Sequence, residues 1–265
     1  MIIPIFICKR YLLKMKKLKL FIILFNFLIT SSLFAQSPKA IEADLLQAFK
    51  KIDYNGQDNE AANKVFAGKL KAYAERYPFT LEQNFALLKA EHLDISSSTD
   101  GLFRIYSWDT WTGGSMHFFE NVFQYKAGPK TVVVLDTPKT DGDNRPNYYK
   151  MYTFKVNNKA YYLGIYRFIE SSKYAGAGIN IFAIENGKLN NEVKLIKTQS
   201  GMHSAISYEY DFSSVMDIAF EKRPAITFDE QLQIISIPLV NAKGQVTNKT
   251  IAYKFTGQYF EKVKS

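Results

Sequence analysis

The chain has 265 residues, with 34 basic against 25 acidic side chains and a formal charge of +9. Six of the basic residues (Lys9, Arg10, Lys14, Lys16, Lys17 and Lys19) fall in the first 35 positions, which hold no acid, so the rest carries an excess of only three. That excludes the polybasic footprint of a nucleic-acid-binding protein, while roughly 230 remaining residues suffice for one large or two small domains with a proper core.

From Met15 the chain reads as an address. Lys16-Lys17-Leu18-Lys19 precedes an apolar run from Leu20 to Ile29, and Thr30-Ser31-Ser32-Leu33-Phe34-Ala35 follows. A basic start, an apolar stretch of about ten residues and a small residue at the cut describe a secretory signal peptide, here cleaved after Ala35. A membrane span needs about 20 apolar residues, and Asn26 and Thr30-Ser31-Ser32 interrupt this run. Met15 is the expected true start. The only cysteine, Cys8, precedes it, so the exported chain offers no disulfide, thiolate metal site or cysteine nucleophile. The expectation is a periplasmic or secreted protein without a membrane span after cleavage.

A helical subdomain is expected over 36–95. Ser37-Pro38 reads as a cap followed by proline at the first helical position, and Ile41, Leu45, Phe49 and Ile52 continue at helical spacing over 38–52. Asn55-Gly56 ends that helix. A second runs from about Asp58 to Pro78, with Ala62, Phe66, Leu70, Tyr73 and Tyr77 on one face. Thr80 and Gln83 have the spacing of a capping box and predict a third helix with Leu81, Phe85 and Leu88 inward.

Beyond Ser96 the pattern changes to strands, predicting a β domain over 96–265. Segments 102–108, 116–125, 131–135, 148–156, 160–168, 179–185, 189–196, 205–210, 225–228 and 232–237 are rich in aromatic and β-branched residues. A final strand pair surrounds Thr256-Gly257. Hairpins are expected at Asn157-Asn158-Lys159 and at Asn186-Gly187. The fold class is therefore α+β, mostly β: a helical N-terminal subdomain packed on an antiparallel meander of about ten strands. Closure as a barrel, a sandwich or propeller-like sheets stays open.

Several short segments give this order of elements a familiar look: Asp100-Gly101-Leu102-Phe103-Arg104-Ile105-Tyr106-Ser107-Trp108, Tyr148-Tyr149-Lys150-Met151, Ala160-Tyr161-Tyr162-Leu163-Gly164, Ile206-Ser207-Tyr208-Glu209-Tyr210 and Ile226-Thr227-Phe228-Asp229. Together they resemble a group of secreted Gram-negative bacterial proteins of unknown function. The resemblance implies export and a β meander, and it brings no activity or site residue with it.

The best site candidate is Asp109-Thr110-Trp111-Thr112-Gly113-Gly114, which joins two aromatic strands. Tyr106, Trp108 and Trp111 would supply ring faces, Asp109 a polar edge and His117 an imidazole, the chemistry of a sugar platform. The competing reading packs Trp108 into the core, as large aromatics usually are. His117 and His203 each follow a methionine in a Gly-containing turn, but no local spacing completes a zinc site. Asp141, Asp143 and Asn144 place hard oxygen ligands close together, as calcium loops do, with Lys139 and Arg145 competing for the carboxylates. Otherwise no cofactor is implied. No nucleophile elbow, zincin motif or dinucleotide loop appears. The expected function is a non-catalytic binding module for a glycan or an envelope protein. The alternative is a glycan hydrolase using Asp109, Glu120 and His117.

Overall fold

The computed structural model describes residues 37–136, 143 and 145–263. The expected signal peptide, Met15 and Cys8 lie outside these residues, as do Asp141 and Asn144. The chain divides into a unit ending at Ile41 and a larger unit, Glu42–Ser265. Among the described residues no helix is long and apolar enough to cross a membrane.

Helix α1 spans Pro38–Phe49 and α2 spans Asn59–Arg76. Asp58 caps α2 by accepting from the Ala61 amide at 3.0 Å, and the chain leaves the helix at Tyr77, before Pro78. The third helix differs from expectation. Thr80 does not cap it: its hydroxyl donates to the Tyr77 carbonyl at 2.7 Å and accepts from Gln124 at 2.8 Å. Residues Pro78–Leu81 form a 3₁₀ turn, and α3 is confined to Ala86–Ala90. Glu42 supplies the missing cap from a distance, accepting from the Leu87 amide at 2.7 Å. Leu81, Phe85 and Leu88 are buried as the spacing predicts.

Among the described residues fifteen strands form three sheets, none closed into a barrel. The first holds β1 (Asp94–Ser97), β2 (Phe103–Asp109), β3 (Phe119–Ala127) and β4 (Lys130–Asp136) in sequence order. The second runs β11-β7-β6-β5, with β5 (Asn147–Val156), β6 (Lys159–Ile169), β7 (Tyr174–Glu185) and β11 (Ala205–Asp211), and β8 (Lys188–Asn190) beside β7. The third runs β10-β9-β15-β14-β13-β12, from β9 (Ile196–Thr198), β10 (Gly201–His203), β12 (Thr227–Asp229), β13 (Ile234–Val240), β14 (Val246–Phe255) and β15 (Phe260–Lys262). Pairing is antiparallel except between β15 and β9, which run parallel.

The burial patterns explain the layering. Residues of β2 are buried without alternation, because both faces are covered. Phe103 and Ile105 pack with Phe123, Tyr148, Met151, Tyr162 and Phe182 against the second sheet. On the opposite face Tyr106 and Trp108 meet the helical layer: the Trp108 ring stands edge-on to Phe66 at 5.0 Å, and the Tyr106 hydroxyl donates to the Thr80 carbonyl at 3.0 Å. The second sheet is itself covered twice. Its Leu163, Ile165, Ile179 and Ile181 pack with Ile196, Phe228, Ile235 and Phe260 of the third sheet.

Both hairpins form where expected, with φ of 49° and 64° at Asn157-Asn158 and 51° and 73° at Asn186-Gly187, the left-handed pairs that two-residue hairpins need. Gly176 and Gly178 lie in β7, where a Cβ would sit 2.0 Å from the Phe168 ring and 2.2 Å from the Tyr166 ring. They let neighbouring aromatics lie flat over the backbone.

Candidate functional site

Apolar filling between the first two sheets gives way to polar side chains at the C-terminal end of β2. In antiparallel β2–β3, Asp109 opposes Phe119 and Trp108 opposes Glu120, and directly opposed residues share a face. Asp109 therefore continues the face of Phe103, Ile105 and Ser107, away from the helices. It opens onto a cleft of about 480 Å³ whose walls come from Asp94 of β1, Asn147 and Tyr149 of β5, Arg167 of β6, Tyr208 and Tyr210 of β11 and the 212–227 segment.

The loop after β2 builds one wall. Trp111 adopts a left-handed φ of 52°, an uncommon conformation for a bulky residue. Three contacts hold it there: its amide donates to Asp109 Oδ1 at 2.9 Å, Asn59 Nδ2 donates to its carbonyl at 2.9 Å, and Tyr54 meets its ring edge-on at 5.8 Å. The residue is 38% exposed. At Gly113 a Cβ would sit 1.9 Å from the Met116 carbonyl oxygen, so the loop folds back on itself only with glycine there. That return brings His117 beside Asp109, Nδ1 paired to the carboxylate. The imidazole lies 5.6 Å from the Trp111 ring and is stacked on Phe119 at 6.3 Å.

The Asp109 hydrogen bond raises the pKa of His117 above its ordinary value, against the opposing effect of burial. Because the native state binds the proton more tightly, the pair stabilises the fold fully below the unfolded histidine pKa, about 6.5. That contribution is lost as pH rises through the raised native value. Asp109→Asn is expected to lower the His117 titration midpoint followed by NMR, and an unchanged midpoint would contradict the pairing.

The facing wall centres on Arg167. Its Nε donates to Asn147 Oδ1 at 2.6 Å and its Nη2 to Asp94 Oδ2 at 3.1 Å, and Asn147 is held in turn by the Ser107 hydroxyl at 3.0 Å. The guanidinium lies 4.2 Å from the Phe220 ring centroid and 5.6 Å from that of Tyr149. The β5–β6 register shifts between Tyr148 and Lys150. This bulge leaves Tyr149 unpaired and re-aims its ring, 5.3 Å from Phe220. Burial pushes the Tyr149 hydroxyl up to about 12 and raises Tyr208 and Tyr210 as well. Burial likewise raises Asp94, with Arg167 opposing it. The three tyrosines therefore keep their phenol protons at neutral pH.

Five residues were expected at this site, and the structure separates them. Trp111, Asp109 and His117 line the cleft together. Tyr106 and Trp108 do not: at 0% and 1% exposure their ring faces are fully packed, and a stacking role is closed to them. The Trp108 indole donates instead to Asn63 Oδ1 at 2.7 Å, while Asn63 Nδ2 donates to the Thr110 carbonyl at 2.8 Å, so this pair pins the loop to α2. Glu120 shares the helix-side face with Trp108, so it does not face Asp109. Burial raises its pKa. His203 bonds Ser200 within its own hairpin at 3.0 Å and does not line the cleft. His92, just past α3, donates its amide to the Lys89 carbonyl at 3.0 Å and also lines the cleft. Of the proposed calcium ligands only Asp143 is described, and it lies 3.5 Å from Arg145, which also reaches Asp136 at 3.4 Å. Among the described residues no three His, Cys, Asp or Glu side chains gather as a metal site.

Arg167, Arg223, Tyr149, Tyr210 and Phe220 were not singled out as site residues. Tyr149 and Tyr210 stand in segments that carry the resemblance to the secreted group, but nothing local marks them as facing one cavity. No protein-family model matches the chain and no curated protein matches it, so the cleft is interpreted on its own geometry.

Proposed function

We propose that this is an exported, non-catalytic binding module of the cell envelope that takes a glycan in the cleft beside Trp111. One observation carries the reading: Trp111, 38% exposed on a left-handed backbone, lines a concave, aromatic-walled cleft, with Asp109, His117, Asn147 and Arg167 at hand for hydroxyls. Sugar rings present apolar faces that stack on such rings and polar edges that need converging donors and acceptors. Export rests on the signal-peptide pattern ending at Ala35. The hydrolase alternative has less support. Asp94 and Asp109 are interior carboxylates of the cleft, and each is paired to a basic side chain, Arg167 and His117. Glu120, the expected partner of Asp109, lies on the opposite face of its sheet.

Calorimetric titration of Gln36–Ser265 with a panel of envelope oligosaccharides tests the proposal. Trp111→Ala is expected to weaken binding about tenfold or more, the scale of a lost aromatic stacking contact. Because the ring is partly exposed, the thermal midpoint should move by no more than about 4 °C. Unaltered affinity in Trp111→Ala would overturn the placement of the ligand.

A further inference from the structure

The charges in the cleft do not balance group by group. Glu91 is bonded to Lys50 at 2.7 Å, Asp94 to Arg167 at 3.1 Å, and Asp109 to His117. Glu221 lies exposed on the rim, where water and salt screen it. Arg223 forms no ion pair among the described residues. Its Nε donates to the Ile218 carbonyl at 2.9 Å, and its guanidinium lies over Phe212 at 5.8 Å and Phe220 at 6.0 Å. Pro224 follows it, and the Arg223 backbone is accordingly extended at φ −67° and ψ 142°. The side chain is thus held from three sides, while among the described residues neither Nη group has a hydrogen-bond partner, leaving an edge that can receive a carboxylate through two parallel hydrogen bonds.

Arg167 flanks the same Phe220 ring, at 4.2 Å. It spends Nε on Asn147 and Nη2 on Asp94, and among the described residues its Nη1 has no hydrogen-bond partner. Tyr210 lines the same cleft; burial raises its pKa, and both Arg223 and Arg167 act against that rise. Its neutral phenol hydroxyl, in the cleft lining with both arginines, adds a further donor for an anionic oxygen.

We propose that the glycan is acidic, a uronate-type sugar whose carboxylate is received by Arg223 with Tyr210 and Arg167 alongside, while Trp111 stacks a ring elsewhere in the cleft. This rests on the glycan reading above and specifies its ligand class. The test uses uronate-containing oligosaccharides, each paired with its carboxyl-reduced neutral form, titrated into wild-type protein and into Arg223→Gln and Arg223→Lys. Wild type should prefer the acidic member about tenfold to a hundredfold, the scale of a charge-assisted bidentate contact. Arg223→Gln should erase that preference without changing affinity for the neutral member, and Arg223→Lys should restore part of it. Arg223 is only half-buried and among the described residues no carboxylate pairs with it, so an unshifted thermal midpoint in Arg223→Gln verifies the fold. Equal binding of both members overturns the acidic ligand, and a preference that survives Arg223→Gln overturns its receipt by Arg223; either result leaves the glycan site standing. Binding of no pair overturns both.

Discussion

Trp108→Ala is expected to lower the thermal midpoint by about 6–20 °C, the equivalent of roughly 3–5 kcal/mol for a domain of this size. The indole is fully buried, stands edge-on to Phe66 and donates to Asn63. Truncation leaves a large cavity between β2 and α2 and strips Asn63 Oδ1 of its donor. Trp108→Phe separates the two contributions. It retains most of the packing but leaves the buried amide oxygen unpaired, for a loss of about 1–3 kcal/mol. Neither substitution removes a ligand-stacking face, so binding by the folded fraction should hold. If Trp108→Ala melts with wild type and loses ligand instead, the assignment of Trp108 to the core is wrong.

Arg167→Met is expected to be the second most damaging change, on the order of 2 kcal/mol at neutral pH. Breaking a fully buried ion pair costs roughly 3–5 kcal/mol. Here the side chains of Arg167 and Asp94 are still 32% and 29% exposed, which reduces the loss. The pH dependence identifies the mechanism. Burial already holds the Asp94 pKa above the ordinary carboxylate value, and Arg167 limits that rise. Removing Arg167 raises it further, so ionised Asp94 becomes a larger cost to the native state. An acid with a raised native pKa destabilises the fold above that pKa, and the penalty disappears below the unfolded value, about 3.9. The midpoint difference between wild type and Arg167→Met should therefore narrow as pH falls from 7 towards 4. Adding Asp94→Asn should recover part of the loss at pH 7. A difference that is constant across this range would show that lost packing on Phe220 and Tyr149, not the stranded carboxylate, dominates.

What was legible in the sequence follows from how local each signal is. Asn157-Asn158 and Asn186-Gly187 announce their hairpins because the left-handed turn depends on those two residues alone. Asp58 and Pro78 bound α2 for equally local reasons. The third helix failed because Thr80 has a distant competitor: Gln124 of β3 takes its hydroxyl, and a capping-box pattern carries no record of that. Strand β1 was hidden in the polar run Asp94–Ser97, whose pairing with β2 is a tertiary fact. Position along β2 decided the site. The sequence shows that Trp108, Asp109 and Trp111 are adjacent, but only the register sends Trp108 and Glu120 to one face and Asp109 to the other. Arg167 and Arg223 escaped notice because their shared partner, Phe220, is remote from Arg167 in sequence, and an isolated arginine carries no motif.

The central claim is that a saccharide occupies the cleft against Trp111, and intrinsic fluorescence tests it most directly. The chain contains two tryptophans: Trp108 is sealed in the core, and Trp111 alone is open to a ligand. Titration with the acidic oligosaccharides should give a saturable emission change in wild type and in Trp108→Phe, and none in Trp111→Phe. A saturable change that persists in Trp111→Phe, or emission indifferent to every saccharide in the panel, would contradict the account.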